Sequence, residues 1–223
     1  MIEAILFDLD DTLYSEKEFV VSGYKTVARK VAATNGCDFT AAFEYMMYSL
    51  QTAGRRTVFS DLLAYFPTIP FTINDLVWTY REHIPIIELM PGYRKLLQQL
   101  RKNYRLGIIT DGLPVTQRNK VSALGIEGLF DRIIYSWDYG QEREKPHPHS
   151  FTLMAEFFRL PPKSMLFIGD NTEKDGRGAE GAGMKYIRVM SPPDETIPCA
   201  DGEKIIGNLL QLPQVLKILK NDK

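Results

Sequence analysis

Three carboxylates stand within four residues near the start of the chain, Asp8, Asp10 and Asp11, with the hydroxyl of Thr12 directly behind them. Like charges at this density repel unless a cation neutralises them, and oxygen-only ligands on a tight turn suit a hard ion such as Mg²⁺. On its own, Asp-x-Asp is equally well explained as a solvated acidic turn. Three later stretches bear on that choice. Ile108-Ile109-Thr110-Asp111-Gly112 ends an apolar run in a hydroxyl and a glycine turn, which can aim backbone N–H groups and the Thr110 hydroxyl at an anion; the same residues are also ordinary turn formers. Lys145 sits in Glu144-Lys145-Pro146-His147-Pro148, where flanking prolines stiffen the loop. Pro148 is explained by helix-start chemistry, but an ammonium held there can pair with the acids and with a phosphate as a point charge. Met165-Leu166-Phe167-Ile168-Gly169-Asp170-Asn171 repeats the opening pattern of apolar run and acid, with Asp175 and a series of glycines beyond.

Each of these groups needs an element to hold it. Ala4 to Phe7 reads as a strand buried on both faces, suited to the centre of a parallel sheet. From Pro91-Gly92 onward the pattern alternates. Helices are expected over 93–102, 114–124, 148–159, 174–182 and 214–220, and strands over 104–110, 132–135, 165–168 and 185–189. That alternation implies an α/β fold with a doubly wound parallel sheet, and open sheets of this kind bind ligands at the carboxyl ends of their strands. The acids, Thr110 and Asp170 all fall at such ends. Between 15 and 85 nothing reads as a strand. Ser15 with Glu18 makes a capping box, Val20, Tyr24, Val27 and Val31 recur at helical spacing, and Asn35-Gly36 supplies a stop. Helices after Thr40, from Thr57 and after Thr72 complete a four-helix run long enough to be a small bundle. Met46, Met47 and its aromatics are read as bundle core. The glycines after Asp175 are read as allowing close helix–sheet packing.

With 223 residues the chain can hold one large domain or a core with an insert. Its 44% apolar and 25% charged content is that of an ordinary globular protein. Twenty-seven basic residues against 28 acidic leave a net charge of −1, so no nucleic-acid or membrane electrostatics are advertised. Cys37 and Cys199 form no metal-ligand spacing and read as reduced cytosolic thiols. Glu3 and Asp8 interrupt any signal-peptide core, and no apolar run approaches the ~18 residues of a membrane span. A soluble cytoplasmic protein is expected, with no motif that speaks to oligomeric state.

Together, Asp8-Leu9-Asp10-Asp11-Thr12, Thr110-Asp111-Gly112, Lys145-Pro146 and Gly169-Asp170-Asn171 with Asp175 resemble the haloacid dehalogenase superfamily of phosphotransferases, in order and spacing along essentially the whole chain. The resemblance implies a Rossmann-like core over 1–14 and 86–223 with a mobile α-helical cap inserted over 15–85. It also implies Mg²⁺-dependent hydrolysis of a small phosphomonoester such as a nucleotide, sugar phosphate or short acid phosphate. Asp8 would be the nucleophile, forming an aspartyl-phosphate, and Asp10 the acid/base. Asp8, the Asp10 carbonyl and Asp170 would hold the metal. Thr110, the Asp111 backbone N–H and Lys145 would bind the phosphoryl oxygens. Asp175 and Asn171 would support these groups from behind, and Thr12 would fix the loop by hydrogen bonding, with Asp11 a bystander. Asp111 and Lys174 depart from the family, which more often has Asn at each position, so the Asp111 carboxylate should point away from phosphate.

Asp10 argues against a dehalogenase, and Lys17, Lys25 and Lys30, the lysines a phosphonatase could use, read as solvated helix faces. A sugar phosphomutase shares the same core, and a silent binding module would be expected to lack Asp8, Asp10, Lys145 or Asp170. Tyr14 is placed at the site entrance. Arg55-Arg56 reads as a solvated helix end or as a clamp for a second anionic group. His147 and His149 lack a third zinc ligand, and His83 is read as partly buried.

Overall fold

The structure, a computed structural model, describes residues 1–34, 37–193 and 205–221. Strand β1 (Ala4–Phe7) is followed by α1 (Glu16–Ala32), α2 (Phe39–Thr52), α3 (Val58–Tyr65) and α4 (Ile73–Glu82). Alternation then sets in: α5 (Tyr93–Leu100), β2 (Arg105–Thr110), α6 (Pro114–Leu124), β3 (Arg132–Tyr135), α7 (His149–Phe158), β4 (Met165–Gly169), α8 (Arg177–Gly181), β5 (Lys185–Val189), β6 (Ile205–Ile206) and α9 (Leu212–Asn221). Contacts divide the chain into two units, Met1–Glu16 with Glu88–Gln117 and Leu124–Lys223, and Lys17–Ile87 with Arg118–Ala123.

The first unit is built on one parallel sheet in the order β3-β2-β1-β4-β5-β6. Strands β1 and β4 are buried along their whole length, as the apolar runs over 4–7 and 165–168 require when helices cover both faces. Tyr93, Leu96, Leu97 and Leu100 form the buried stripe of α5 at the helical period. Phe151, Met154 and Phe158 of α7 pack with Leu6, Ile109 and Phe167 of the strands. This is the expected doubly wound α/β architecture, with two differences. The two-residue strand β6 carries no periodic signal of its own and pairs beside β5. The helix expected over 174–182 is broken: Thr172–Gly176 winds as one π-type turn before α8 begins. Gly178 permits that close approach, since a Cβ there would meet the Phe151 ring and lie 3.2 Å from Cα of Pro146.

The second unit is helical. Tyr24 and Val27 of α1, Met46 of α2, Leu62 of α3 and Leu76 of α4 share one buried cluster, with Met47 and several aromatics against it. The Thr72 side chain and the Asp75 carboxylate make a reciprocal capping box at α4. His83 is buried, its Nδ1 2.6 Å from the Tyr80 carbonyl. Lys30 is not a merely solvated helix-face residue: its ammonium donates to Thr79 Oγ1 at 2.8 Å and lies 4.9 Å from the Phe71 ring centre. The Asn35-Gly36 stop and Cys199 lie outside the described residues, and Cys37 is a free thiol. Among the described residues no helix is long and apolar enough to cross a membrane.

Candidate active site

Strand order explains why distant residues meet. Strand β1 lies between β2 and β4, with Phe7 paired to Ile108 on one side and to Ile168 on the other. From β1 the chain builds outward through β2 and β3, then returns to place β4 against the other side of β1. A crevice opens at the carboxyl ends where the winding reverses. The residues following β1, β2 and β4 are Asp8, Asp111 and Asp170.

Lys145 enters this crevice from the loop before α7. Its ammonium donates to Asp8 Oδ1 at 2.5 Å, to Asp175 Oδ1 at 2.7 Å and to the Ile109 carbonyl at 3.3 Å, so each of its three protons has an acceptor. Asp8, Lys145 and Asp175 are only 7%, 4% and 1% exposed, which makes this a buried ionic triad. Burial works against the ammonium, but the charges of Asp175, Asp8 and Asp111 outweigh it and hold Lys145 well above the usual lysine range. The backbone before the ammonium is tied down as well. Asp111 Oδ1 accepts the Ser136 hydroxyl at 2.6 Å and the Lys145 N–H at 3.2 Å. The Asp111 carboxylate is thus turned to the loop that carries Lys145, which answers the charge problem its sequence position raised.

Asp10 is gripped from two sides. The buried Tyr14 hydroxyl donates to Oδ1, and the Gln117 amide of α6 donates to Oδ2 at 2.8 Å. The same Gln117 nitrogen donates to the Thr110 hydroxyl at 2.6 Å. The turn that presents Asp10 is closed by Leu13 N–H on the Leu9 carbonyl and by Asp11, which takes a left-handed φ of 53° and accepts the Glu16 N–H at 2.9 Å. Asp and Asn tolerate that conformation better than other side-chain-bearing residues.

On the β4 side, Asp175 Oδ2 also accepts the Asn171 N–H at 3.1 Å. Gly169 makes room for this arrangement, because a Cβ there would collide with the Asp175 carboxylate. Asp170 is pushed up to about 6, first by burial and then by the charges of Asp175 and Asp11. Asp8 is pushed up too, by burial and by Asp175 and Asp10, against the opposing pull of Lys145. Seven acids (Asp8, Asp10, Asp11, Glu16, Asp111, Asp170, Asp175) and two lysines (Lys145, Lys174) line one cleft of about 220 Å³ with Asn171. Carboxylate oxygens of Asp8, Asp170 and Asp175 come within 4.8 Å of one another. Acids crowded into a site short of positive charge, and offering only oxygen, fit a hard divalent cation. Because Asp175 is committed to Lys145 and to the Asn171 N–H, Asp8 and Asp170 are the acids best placed to bind it.

The expected residues are therefore brought together, with changes of detail. Thr110 is fully buried, its hydroxyl accepting from Gln117 rather than lining the cleft. Thr12 does not fix the loop by a hydrogen bond: its hydroxyl is buried without a partner. Tyr14 is not at an entrance; it is fully buried beneath Asp10. Asp11 is no bystander, since it closes the turn onto α1. Asn171 caps the following turn, its Oδ1 accepting from Glu173 and Lys174 N–H groups. His149 Nε2 faces Arg143 at 3.3 Å, which does not suit a zinc ligand. Gln117 and Ser136 were missed by sequence reasoning. Both had a signal, Ser136 as the residue after β3 and Gln117 as a polar residue one turn into the helix that opens at the β2 end.

Among solved structures, the chain is similar to a phosphatase of this superfamily from Thermococcus onnurineus, 24% identical with a TM-score of 0.62 and covering 96% of this chain and 98% of that one. A superfamily hydrolase from Geobacter sulfurreducens is 21% identical, with a TM-score of 0.67 over 96% of both chains. Two relatives named glyceraldehyde 3-phosphate phosphatase are similar along the whole of this chain. That of Pyrococcus abyssi is 34% identical over 95% of its own length, and that of Methanocaldococcus jannaschii 30% identical over 100% of its length. The family model for haloacid dehalogenase-like hydrolases matches residues 5–189. With that match, and with the acids and Lys145 gathered at the sheet's switch point, the chain belongs to the haloacid dehalogenase-like hydrolase family.

Proposed function

We propose that the protein is a cytoplasmic, Mg²⁺-dependent phosphatase of a short phosphorylated metabolite, working through an aspartyl-phosphate on Asp8. The observation that carries this reading is the buried ammonium of Lys145 held between Asp8 and Asp175 beside further acids. That arrangement supplies a nucleophile, a fixed positive charge for phosphoryl oxygens and a cation site at one sheet edge. Mg²⁺, held by the Asp8 and Asp170 carboxylates and the Asp10 carbonyl, would neutralise phosphoryl charge.

The chain's own groups divide the work. An Asp8 oxygen attacks phosphorus, and the bond from phosphorus to the ester oxygen breaks. Asp10 gives its proton to the departing oxygen, so the product leaves as an alcohol. Lys145 and the Asp111 backbone N–H receive the phosphoryl oxygens as charge spreads over them. Asp10, now ionised, takes a proton from water as that water attacks the acyl phosphate. This releases inorganic phosphate and restores Asp8. Asp8 and Lys145 are held by buried partners before substrate arrives, and Lys145 gives up one of its three acceptors to reach a phosphoryl oxygen.

The name shared by the archaeal relatives makes glyceraldehyde 3-phosphate the first metabolite to assay. With Mg²⁺ the protein should release phosphate from p-nitrophenyl phosphate and from that triose phosphate. Asp8→Asn should abolish both while the circular dichroism spectrum is unchanged. Robust turnover by Asp8→Asn would sink the mechanism, and an isomerised sugar phosphate formed without phosphate release would indicate a mutase instead.

A further inference from the structure

Gln117 is a fully packed polar side chain that neither attacks substrate nor belongs to the cation site. Its amide nitrogen stands 2.8 Å from Asp10 Oδ2 and 2.6 Å from Thr110 Oγ1. While Asp10 is ionised it only accepts hydrogen bonds, and the amide nitrogen of Gln117, not its oxygen, faces it. An NH₂ group has two protons in one plane, and the two contacts use one each. The residue is 2% exposed, which leaves the side chain no room to swing away. On the far side of Asp10, the buried Tyr14 hydroxyl holds Oδ1, and burial together with the Asp10 charge keeps that phenol protonated far above its ordinary range.

We propose that Gln117 and Tyr14 are positioning residues that clamp Asp10, one on each carboxylate oxygen, and that Gln117 sets the direction of the Thr110 hydroxyl with the same amide. This inference rests on the acid/base role proposed for Asp10. A carboxylate oxygen has two lone pairs, and each oxygen of Asp10 accepts one clamp bond. Fixing both oxygens restricts rotation of the carboxyl about its own bond, a torsion that is otherwise broad and soft. Because Thr110 Oγ1 accepts from Gln117, its own proton must point elsewhere.

The clamp predicts a leaving-group signature. Nitrophenolate leaves readily without a proton, whereas phenolate, with the acidity of tyrosine at about 10, needs one. Gln117→Met keeps the side-chain volume and removes both donors, and Tyr14→Phe removes only the hydroxyl. In the Mg²⁺-loaded protein, kcat/KM should be measured for p-nitrophenyl and phenyl phosphate. Both variants should lose at least about tenfold more on phenyl phosphate, since a positioned general acid is worth about 10²–10⁴-fold. A merely structural defect lowers the two substrates alike, and equal losses would overturn the proposal. If Gln117→Met does not fold, Gln117→Leu and Tyr14→Phe carry the same comparison. Asp10→Asn, run alongside, separates the two readings. If it discriminates between the substrates and the clamp variants do not, the clamp is wrong. If Asp10→Asn itself shows no discrimination, the acid/base assignment fails and the clamp falls with it.

Discussion

Replacing Lys145 by methionine tests the electrostatic core of the site. In the native protein its ammonium lies 2.5 Å from Asp8 and 2.7 Å from Asp175, with all three side chains nearly fully buried. Lys145→Met fills most of the volume but leaves two carboxylates facing each other without a counter-charge. Breaking a buried pair by removing one partner costs about 3–5 kcal/mol. At about 2–4 °C per kcal/mol for a chain of this size, the melting temperature should fall by about 6–20 °C. The pH dependence gives a second, sharper readout. The folded pKa of Lys145 is raised, so its stabilisation is fully present below the unfolded value of about 10.4 and is lost only above it. Wild type therefore keeps that contribution at both pH 7.5 and pH 5. In the variant, Asp8 loses the Lys145 charge that opposes the effect of burial, so its folded-state pKa rises further above the ordinary carboxylate value. The penalty is present above that raised value and is relieved as pH falls and Asp8 protonates. Calorimetry on metal-free protein near pH 7.5 and near pH 5 should show the deficit shrinking at the lower pH. Asp175→Asn added to Lys145→Met should recover part of the loss, because one uncompensated charge is gone. A variant that melts with wild type near pH 7.5, or whose deficit is the same at both pH values, would refute the reasoning.

Asp170, pushed up to about 6, should make metal-free stability fall as pH rises from about 4 to about 6, because the folded state binds its proton more tightly across that window. Mg²⁺ competes with that proton, so the rise in melting temperature on adding MgCl₂ should be larger near pH 7.5 than near pH 5; equal shifts would contradict the cation site at Asp170. Gly169→Ala places a Cβ against the Asp175 carboxylate. It should cost about 1–3 kcal/mol in denaturant titration and lower Mg²⁺-dependent phosphate release, and a neutral outcome on both counts would show that Asp175 can move freely.

The candidate site residues were legible in the sequence because each is attached to a local signal. Asp8, Thr110 and Asp170 come at the ends of apolar strands, and an apolar run that stops at a polar residue can be read without knowing what lies beside it. The alternation of strands and helices then implied a parallel sheet. Tertiary structure decided which side-chain oxygen meets which donor. Tyr14 reads as an aromatic near a loop until the turn folds it beneath Asp10. Gln117 is 107 residues from the carboxylate it holds, a pairing made only when α6 leaves β2 beside β1. Asp111 looked like a charge misplaced beside phosphate until Ser136 and the Lys145 backbone claimed it. Asp8-Leu9-Asp10 is by itself only an acidic turn, and its expected chemistry became legible with Thr110, Lys145 and Asp170 following it in order along the chain. The direction of each carboxylate depends on donors from distant segments, and such contacts leave no period or motif in the chain.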